Sequence, residues 1–170
     1  MFYHMRITAF GYVGILFQAD PFIVNRVFLP HSRKSALVGQ IQGIAPAKPG
    51  STPAVLDICK DLQAYFSGVP VKPPWEVLNL DGLTSLQCFV LEAVAAIPYG
   101  EVRSYGQIAA QAGHPGAYRF VGTTLAKNPF PILIPCHRVI LADGSTGRFH
   151  GGTSLKRRMI DLETASDADL

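Results

Sequence analysis

One segment of this chain combines a cysteine with two basic side chains. Cys136 is followed directly by His137 and Arg138, and the stiff, apolar run 131–135 leads into it. A thiolate is the reactive form of cysteine, and a nearby histidine or arginine lowers the pKa of a thiol. The prolines at both ends of the run fix the backbone, which suits a nucleophile that must be aimed. An inert buried cysteine before a surface His-Arg pair is the alternative, and composition alone favours it.

Such a nucleophile needs a base, and the base needs a group that orients it. His137 is the candidate base, and it reaches the sulfur through the backbone bend or a water because neighbouring side chains often point apart. Glu163 is the candidate orienting group, on a final helix that we expect to begin near Thr153 or Ser154. A solvated glutamate near a helix end is the alternative for Glu163.

The composition limits the kinds of protein that this chain can be. With 170 residues, of which 48% are hydrophobic and 16% charged, it can form one sizeable core or two small domains. Cys59 and Cys88 fall on predicted helices, where we expect them to be structural residues. The odd number and wide spacing of the three cysteines do not suggest a disulfide framework. We expect no metal and no cofactor. No apolar stretch reaches membrane-spanning length, so we expect no membrane partner and a cytoplasmic protein, or a nuclear one in a eukaryote.

The net charge of +3 is a weak sign of an anionic partner, but the distribution of charge says more. Between residues 102 and 160 only Asp143 opposes a group of basic residues. The basic residues are Arg103, Arg119, Lys127, Arg138, Arg148, Lys156, Arg157 and Arg158. This imbalance predicts a surface that faces phosphates, with a merely solvated basic face as the alternative.

The N-terminal half reads as strands followed by a helix. Apolar and β-branched residues between 6 and 29 predict an antiparallel hairpin, and the Gly-, Pro- and Ala-rich stretch 42–53 predicts a loop. A helix follows, capped by Ser51 or Thr52 and closed by Gly68.

A proline-rich connector, 69–82, separates this half from a more helical one. Thr84 or Ser85 can cap a helix whose apolar positions include Phe89. Ser104 can cap a short helix, 105–112. A turn, 113–116, and a second short helix, 117–127, then complete a helix-turn-helix candidate, which is a weak signal by pattern alone.

The string 135–139, Pro-Cys-His-Arg-Val, closely resembles the signature of the O6-alkylguanine-DNA alkyltransferases. Further segments resemble the family in the same order: 97–102, 104–106, 119–122, 128–129, 151–152, Lys156 and 162–163. The resemblance is strong over roughly residues 83 to 163. It is loose in the N-terminal half, where the strand pattern and the segment 62–68 carry it.

This resemblance implies a two-domain α/β (α+β) fold. Residues 1–82 would form a small ribonuclease-H-like N-terminal domain with the connector, and residues 83–170 a mostly helical winged helix-turn-helix. The recognition helix would lie in the minor groove of double-stranded DNA that contains O6-alkylguanine. The damaged guanine would be flipped out beside Cys136, since its O6 cannot be reached inside the stack.

The resemblance also implies a role for each matching residue. Cys136 attacks the alkyl carbon, His137 accepts its proton, Glu163 holds His137, Asn128 braces the active loop, and Tyr105 rotates the nucleotide and donates a proton to the leaving guanine. The predicted DNA-binding residues are Arg119, which would fill the space of the flipped base, with Tyr105, Tyr118, Thr123 and Arg138. The predicted guanine pocket consists of Pro131, Val139, Phe149, His150 and Gly151.

The sequence departs from the family pattern at four positions in or beside the predicted DNA-binding helix and guanine pocket. Tyr118 and Phe120 flank the recognition arginine where small residues are frequent, which affects how closely the helix fits the groove. Phe149 replaces a frequent tyrosine, and His150 replaces a small residue. We hypothesise that His150 narrows the pocket and disfavours large alkyl groups.

The resemblance therefore implies a DNA-repair methyltransferase that is consumed in a single turnover, because a thioether does not hydrolyse, and we expect a monomer. A lesion-binding sensor without transfer activity is the first alternative, although such proteins lack the cysteine that Cys136 provides. A helix-turn-helix regulator and a cysteine hydrolase are the others. The regulator would need a further domain, and the hydrolase an oxyanion hole that no sequence feature suggests.

Overall fold

The computed structural model describes residues 1–166. These residues form a mixed α/β fold, as predicted, with three consecutive strands at the start and mostly helices in the second half. The chain divides into two compact units, Met1–Asn79 and Leu80–Leu170, whereas the predicted boundary lay after Gly82. In residues 1–166 no helix is long and apolar enough to cross a membrane.

A four-stranded sheet forms the centre of the first unit. Its strands are β1 (Phe2–Thr8), β2 (Gly11–Ala19), β3 (Phe22–His31) and β4 (Lys48–Pro49), in the order β3-β2-β1-β4. The first three strands pair antiparallel, which confirms the predicted hairpin, and β4 pairs parallel with β1. Strand β3 continues through Pro30, where we expected it to stop. An edge strand tolerates proline because the missing N–H faces away from the sheet.

Helix α1 (Lys34–Ile44) was not predicted from the sequence. It lacks a side-chain cap at its start and contains two glycines, so neither the capping signal nor the helix propensity stands out. Its position depends on packing instead: Leu37 and Ile41 are buried in one cluster with Leu16 and Phe28 of the sheet.

Helix α2 (Pro53–Tyr65) has the predicted start. Thr52 accepts a hydrogen bond from the backbone N–H of Val55 at 3.2 Å, and proline occupies the first turn. Its buried residues include Cys59, where burial raises the pKa of the thiol to about 12, so this cysteine is a core residue as expected. The central residues of β2, 13–17, are all buried, and both α1 and α2 contact this strand.

A 3₁₀ helix, Trp75–Val77, lies in the predicted connector. Just after it, the N–H of Asn79 donates to the carbonyl oxygen of Val24 in β3 at 2.8 Å. The connector is therefore attached to the edge of the first unit's sheet.

The second unit is mostly helical. Its helices are α3 (Ser85–Ala95), α4 (Tyr105–Gln111), α5 (Tyr118–Ala126) and α6 (Thr153–Ser166), and two short parallel strands are β5 (Arg103–Ser104) and β6 (Val139–Ile140). Thr84 and Ser104 cap α3 and α4 through reciprocal hydrogen bonds with a glutamine three residues later, which confirms both predicted caps. Phe89 was expected on the apolar face of α3, but it is 53% exposed.

Helices α4 and α5 form the predicted helix-turn-helix. The turn between them uses Gly113 and Gly116, both at positive φ, 82° and 89°. Such φ values favour glycine. Ile108 of α4 and Val121 of α5 are fully buried. The ribonuclease-H-like and winged assignments of the two units stay predictions.

Candidate active site

A buried turn presents Cys136. The N–H of Ile134 donates to Phe130 O and the N–H of Cys136 donates to Ile134 O, both at 2.8 Å. Within this turn Ile132 has a φ of 77°, which a β-branched residue rarely adopts. A backbone outlier of this kind costs about 1–3 kcal/mol, and it persists only where its surroundings hold it. Ile132 is 1% exposed, so packing fixes the strained turn directly before the cysteine.

Cys136 begins a 3₁₀ helix, Cys136–Arg138, and is 7% exposed. Burial raises the pKa of the thiol, while a hydrogen bond with Asn128, the charge of Lys156 and the backbone N–H groups of Cys136 and His137 lower it. The net shift of the pKa is upward. At neutral pH the resting cysteine therefore holds its proton, and its reaction as a nucleophile requires a proton acceptor.

Asn128 joins the end of the helix-turn-helix to the turn that carries the cysteine. Its Nδ2 donates to Ile134 O at 3.0 Å, and its Oδ1 accepts from the N–H of Phe130 at 3.0 Å. Asn128 is buried, so both hydrogen bonds lie away from solvent. The amide thus fixes the backbone on which the cysteine sits and also contacts the sulfur.

The structure brings His137 and Glu163 together, as the sequence predicted for a base and its orienting group. The distance from His137 Nε2 to Glu163 Oε1 is 2.6 Å, and the two side chains are 0% and 2% exposed. Glu163 Oε2 also accepts from the N–H of Gly100 at 3.2 Å. The carboxylate therefore accepts hydrogen bonds both from the imidazole and from the backbone of the turn after α3.

The protonation states follow from this contact. Burial raises the pKa of Glu163, but the hydrogen bonds and charges of His137 and Arg138 outweigh it and lower the pKa to about 2. An ionised carboxylate can only accept hydrogen bonds, so Nε2 of His137 carries the hydrogen and donates to Glu163. Burial lowers the pKa of His137, although Glu163 opposes this. A neutral imidazole of this tautomer has its lone pair on Nδ1, which makes it a possible proton acceptor.

Lys156 was placed among the positions that match the family, but it was assigned no role in the site. It lies on α6, is 0% exposed, and its Nζ donates to Val139 O at 2.5 Å. The same Nζ is 5.9 Å from the ring centres of Tyr105 and Phe149. Burial lowers the pKa of Lys156 to about 8, while Cys136 raises it.

Tyr105 begins α4 and is half-buried. Burial, followed by the charge of Cys136, raises the pKa of its phenol. A β-carbon added at Gly147 would lie 3.7 Å from the Tyr105 hydroxyl oxygen, so the loop that contains Gly147 passes close to this group. The predicted proton donor therefore lies within the electrostatic reach of the sulfur.

The predicted pocket residues divide into two groups. Pro131 and Val139 are buried, and Phe149 is half-buried with its ring near the Lys156 ammonium. His150 and Gly151 are exposed. In the described part of the chain, no group of three or more His, Cys, Asp or Glu side chains could hold a metal ion.

Helix α5 presents three of the predicted DNA-binding residues to solvent. Arg119 and Thr123 are exposed, and Tyr118 is 50% exposed. The Arg119 guanidinium carbon lies 5.9 Å from the centre of the Tyr118 ring. The opposite face of α5 packs inward through Val121 and Leu125.

Arg138 corrects the predicted set of DNA contacts. It is 5% exposed, and its guanidinium donates to Glu163 at 2.8 and 3.2 Å and to Ile97 O at 2.7 Å. Its donors are thus used inside the unit, and it cannot serve as a surface phosphate contact. Lys156 is buried too, so two members of the predicted basic surface belong to the core.

A buried cysteine with a proton acceptor lies in the same unit as a helix-turn-helix, a combination that fits the class of proteins that bind DNA and react with it through a thiol. The profile of the family described as "6-O-methylguanine DNA methyltransferase, DNA binding domain" matches residues 85–165. The methylated-DNA–protein-cysteine methyltransferase of Mycobacterium tuberculosis is 45% identical over 123 residues, which are 72% of each chain. That of Methanothermobacter thermautotrophicus is 36% identical over 128 residues, 74% of this chain and 72% of the relative.

Solved structures agree with these relatives. The crystal structure of Mycobacterium tuberculosis OGT in complex with DNA aligns with a TM-score of 0.75 at 33% identity. The alignment covers 98% of this chain and 94% of the OGT chain. The methyltransferase from Pyrococcus kodakaraensis, at 21% identity and a TM-score of 0.68, shares the fold. The chain belongs to the methylated-DNA–protein-cysteine methyltransferase family.

Proposed function

We propose that this protein repairs DNA by moving the alkyl group of O6-alkylguanine onto Cys136, once per molecule. The reaction forms a bond between sulfur and the alkyl carbon and breaks the bond between that carbon and O6. The bonding electrons leave with guanine, which then takes up a proton. The cysteine becomes a thioether, which water does not cleave, so the protein is consumed and no cofactor is required.

The side chains around the sulfur divide the proton transfers between them. His137 accepts the thiol proton through a water, while Glu163 fixes the tautomer that leaves a lone pair on Nδ1. Tyr105 supplies the proton that guanine needs as it leaves. Asn128 holds the nucleophile in place through its two backbone hydrogen bonds. Pro131, Val139 and the loop 149–151 line the space for the base.

Helix α5 is the proposed contact to duplex DNA. Arg119 enters the space of the flipped base, and Tyr118 and Thr123 contact the neighbouring groove, since all three are exposed on one helix. We further propose that the second unit is a winged helix-turn-helix and the first a ribonuclease-H-like domain. The protein would act as a monomer in the compartment that holds DNA, the cytoplasm or the nucleus.

One observation carries this proposal: a buried cysteine lies in contact with Asn128 and beside a His137–Glu163 pair, in the unit that holds the helix-turn-helix. The test mixes the protein with excess duplex oligonucleotide that contains one O6-methylguanine, followed by intact mass measurement and peptide mapping. We expect one added methyl group on the Cys136 peptide. Cys136→Ser should gain none, whereas Cys88→Ser, which changes another cysteine of the same unit, should react fully.

The same experiment separates the proposal from a lesion sensor. A protein that binds the methylated duplex but keeps its original mass would support the sensor and contradict alkyl transfer. A protein that neither reacts nor binds would contradict both readings of the site. Methylation of a residue other than Cys136 would reject the named nucleophile.

A further inference from the structure

The residues on either side of Arg148 lie against the candidate site. A β-carbon added at Gly147 would lie 3.7 Å from the Tyr105 hydroxyl oxygen, and the ring of Phe149 lies 5.9 Å from the Lys156 ammonium. Phe149 is half-buried, whereas Arg148 is exposed. The two neighbours therefore hold Arg148 at the rim of the site, where its side chain stays open to solvent.

The protein supplies no counter-charge for this guanidinium. Among residues 1–166, the ion pairs all involve other basic groups, and Arg148 makes no hydrogen bond from its side chain. Asp143 is the one acidic residue between positions 102 and 160, and its carboxylate accepts from Ser145. Arginine stays charged and presents a planar fork of donors that matches a phosphate. The free donors of Arg148 therefore suit an anion that arrives with the substrate.

The proposed reaction brings such an anion to the rim. A flipped guanine stays attached to its deoxyribose and to the phosphates on both sides, so these phosphates lie at the mouth of the pocket that takes the base. We infer that Arg148 binds a phosphate of the flipped O6-alkylguanine nucleotide and thereby stabilises the conformation from which the alkyl group is transferred. The inference rests on the proposed function, because the phosphate reaches the rim only when the base enters the pocket.

This role differs from that of a general phosphate contact. A side chain that binds an undistorted part of the duplex finds its phosphate in place whether or not a lesion is present. Arg148 finds its phosphate only after the nucleotide has turned out of the helix, so its contribution belongs to DNA that carries the lesion. Arg157 is the matched comparison, because it is an exposed arginine of the same unit that lies on α6 and not at the rim.

The test measures equilibrium binding by fluorescence anisotropy. Every protein carries Cys136→Ser, so that the DNA is not consumed, and each is titrated with a methylated duplex and with the same duplex without the methyl group. Because hydrogen bonds to charged groups are among the stronger ones, adding Arg148→Ala should weaken binding to the methylated duplex about ten-fold or more. The slope of the logarithm of affinity against that of salt concentration should fall by about 0.9.

Two comparisons separate this contact from a general effect of charge. Binding of the unmethylated duplex should change by less than about two-fold in Arg148→Ala, because its phosphates stay in the helix. Arg148→Lys, which keeps the charge but not the planar fork, should recover part of the loss on the methylated duplex. Arg157→Ala should change the affinities for the two duplexes by the same factor.

A neutral phosphate analogue identifies the partner. A methylphosphonate replaces, in turn, the phosphate on each side of the methylated nucleotide. At one of these positions the proteins with and without Arg148→Ala should bind alike, because the contact is already lost. Arg157→Ala should have the same effect on each of these duplexes as on the ordinary one.

Three results would overturn the inference. The first is an Arg148→Ala protein that binds the methylated duplex as tightly as the protein with Arg148 does. The second is an equal loss on methylated and unmethylated DNA, and the third is a loss that persists with both methylphosphonates, since either would make Arg148 a general electrostatic contact. All three leave alkyl transfer itself unaffected. A Cys136→Ser protein that does not prefer the methylated duplex would instead contradict the proposed function, and the inference with it.

Discussion

Glu163→Gln tests the buried ion pair that supports the site. The carboxylate accepts from His137 at 2.6 Å, from Arg138 at 2.8 and 3.2 Å and from Gly100 at 3.2 Å. Glutamine keeps the shape but removes the charge and one acceptor, so the buried Arg138 guanidinium loses its counter-charge. Removing one partner of a buried pair costs about 3–5 kcal/mol. The free energy of unfolding should fall by at least about 3 kcal/mol.

The pKa of Glu163 gives the same magnitude and a pH window. The folded-state pKa of about 2 lies below the ordinary value of 4.5, so the native state binds the proton less readily than the unfolded state. The stabilisation, about 3 kcal/mol, is fully present above pH 4.5 and is lost as the pH falls towards 2. Glu163→Gln has no such proton to bind. The difference between the two proteins should therefore be large at pH 7 and shrink between these pH values.

Thermal unfolding followed by circular dichroism measures this difference. For a chain of this size about 3 kcal/mol corresponds to a Tm lower by about 6–12 °C. Glu101→Gln is the matched control, because Glu101 binds Arg103 at 2.6 Å but its side chain is 51% exposed. An exposed pair contributes at most about 1 kcal/mol. A Glu163→Gln protein that melts within about 2 °C of the parent at pH 7, or whose deficit persists at pH 2, would refute the reasoning.

Two further predictions concern the turn and the proposed DNA face. Asn128→Ala leaves the buried N–H of Phe130 without a partner, at about 1–3 kcal/mol, and removes one of the two donors to Ile134 O, so both the Tm and the rate of methyl transfer should fall. An unchanged rate would show that Asn128 does not position the cysteine. Arg119→Ala and Tyr118→Ala should weaken binding to methylated duplex about ten-fold or more in a gel-shift assay, yet leave the reaction with free O6-benzylguanine unchanged. Phe89→Ala, which removes an equally exposed aromatic ring from α3, should leave both measurements unchanged.

The elements that position the site were predictable where local chemistry specifies them. Thr52, Thr84 and Ser104 each cap a helix with their own side chain, and each signal is visible within a few residues of sequence. Helix α1 begins after Arg33, whose side chain makes no capping hydrogen bond. Because that helix depends on contacts with strands distant in the sequence, local patterns could not indicate it.

The sequence pattern did not show which charged side chains are buried. Arg138 was assigned to the DNA surface from its type and from the basic residues around it. The structure surrounds it with Glu163, Ile97 O and the ring of Tyr99, which come from two other segments of the chain. The charge of an arginine is visible in the sequence. Its hydrogen-bond acceptors are not, because here they come from segments that are brought together only in the folded chain.

The spacing on α6 nevertheless contained a usable signal. Lys156, Met159 and Glu163 are three and then four residues apart, which places them on one face of a helix. Met159 is 0% exposed, so that face is the buried one, and both charged residues lie on it. Charged side chains on an apolar stripe are rarely buried unless they are paired. A buried lysine and a buried glutamate on one stripe each need a partner, and the segment 137–139 supplies both: His137 and Arg138 bind Glu163, and Val139 O accepts from Lys156.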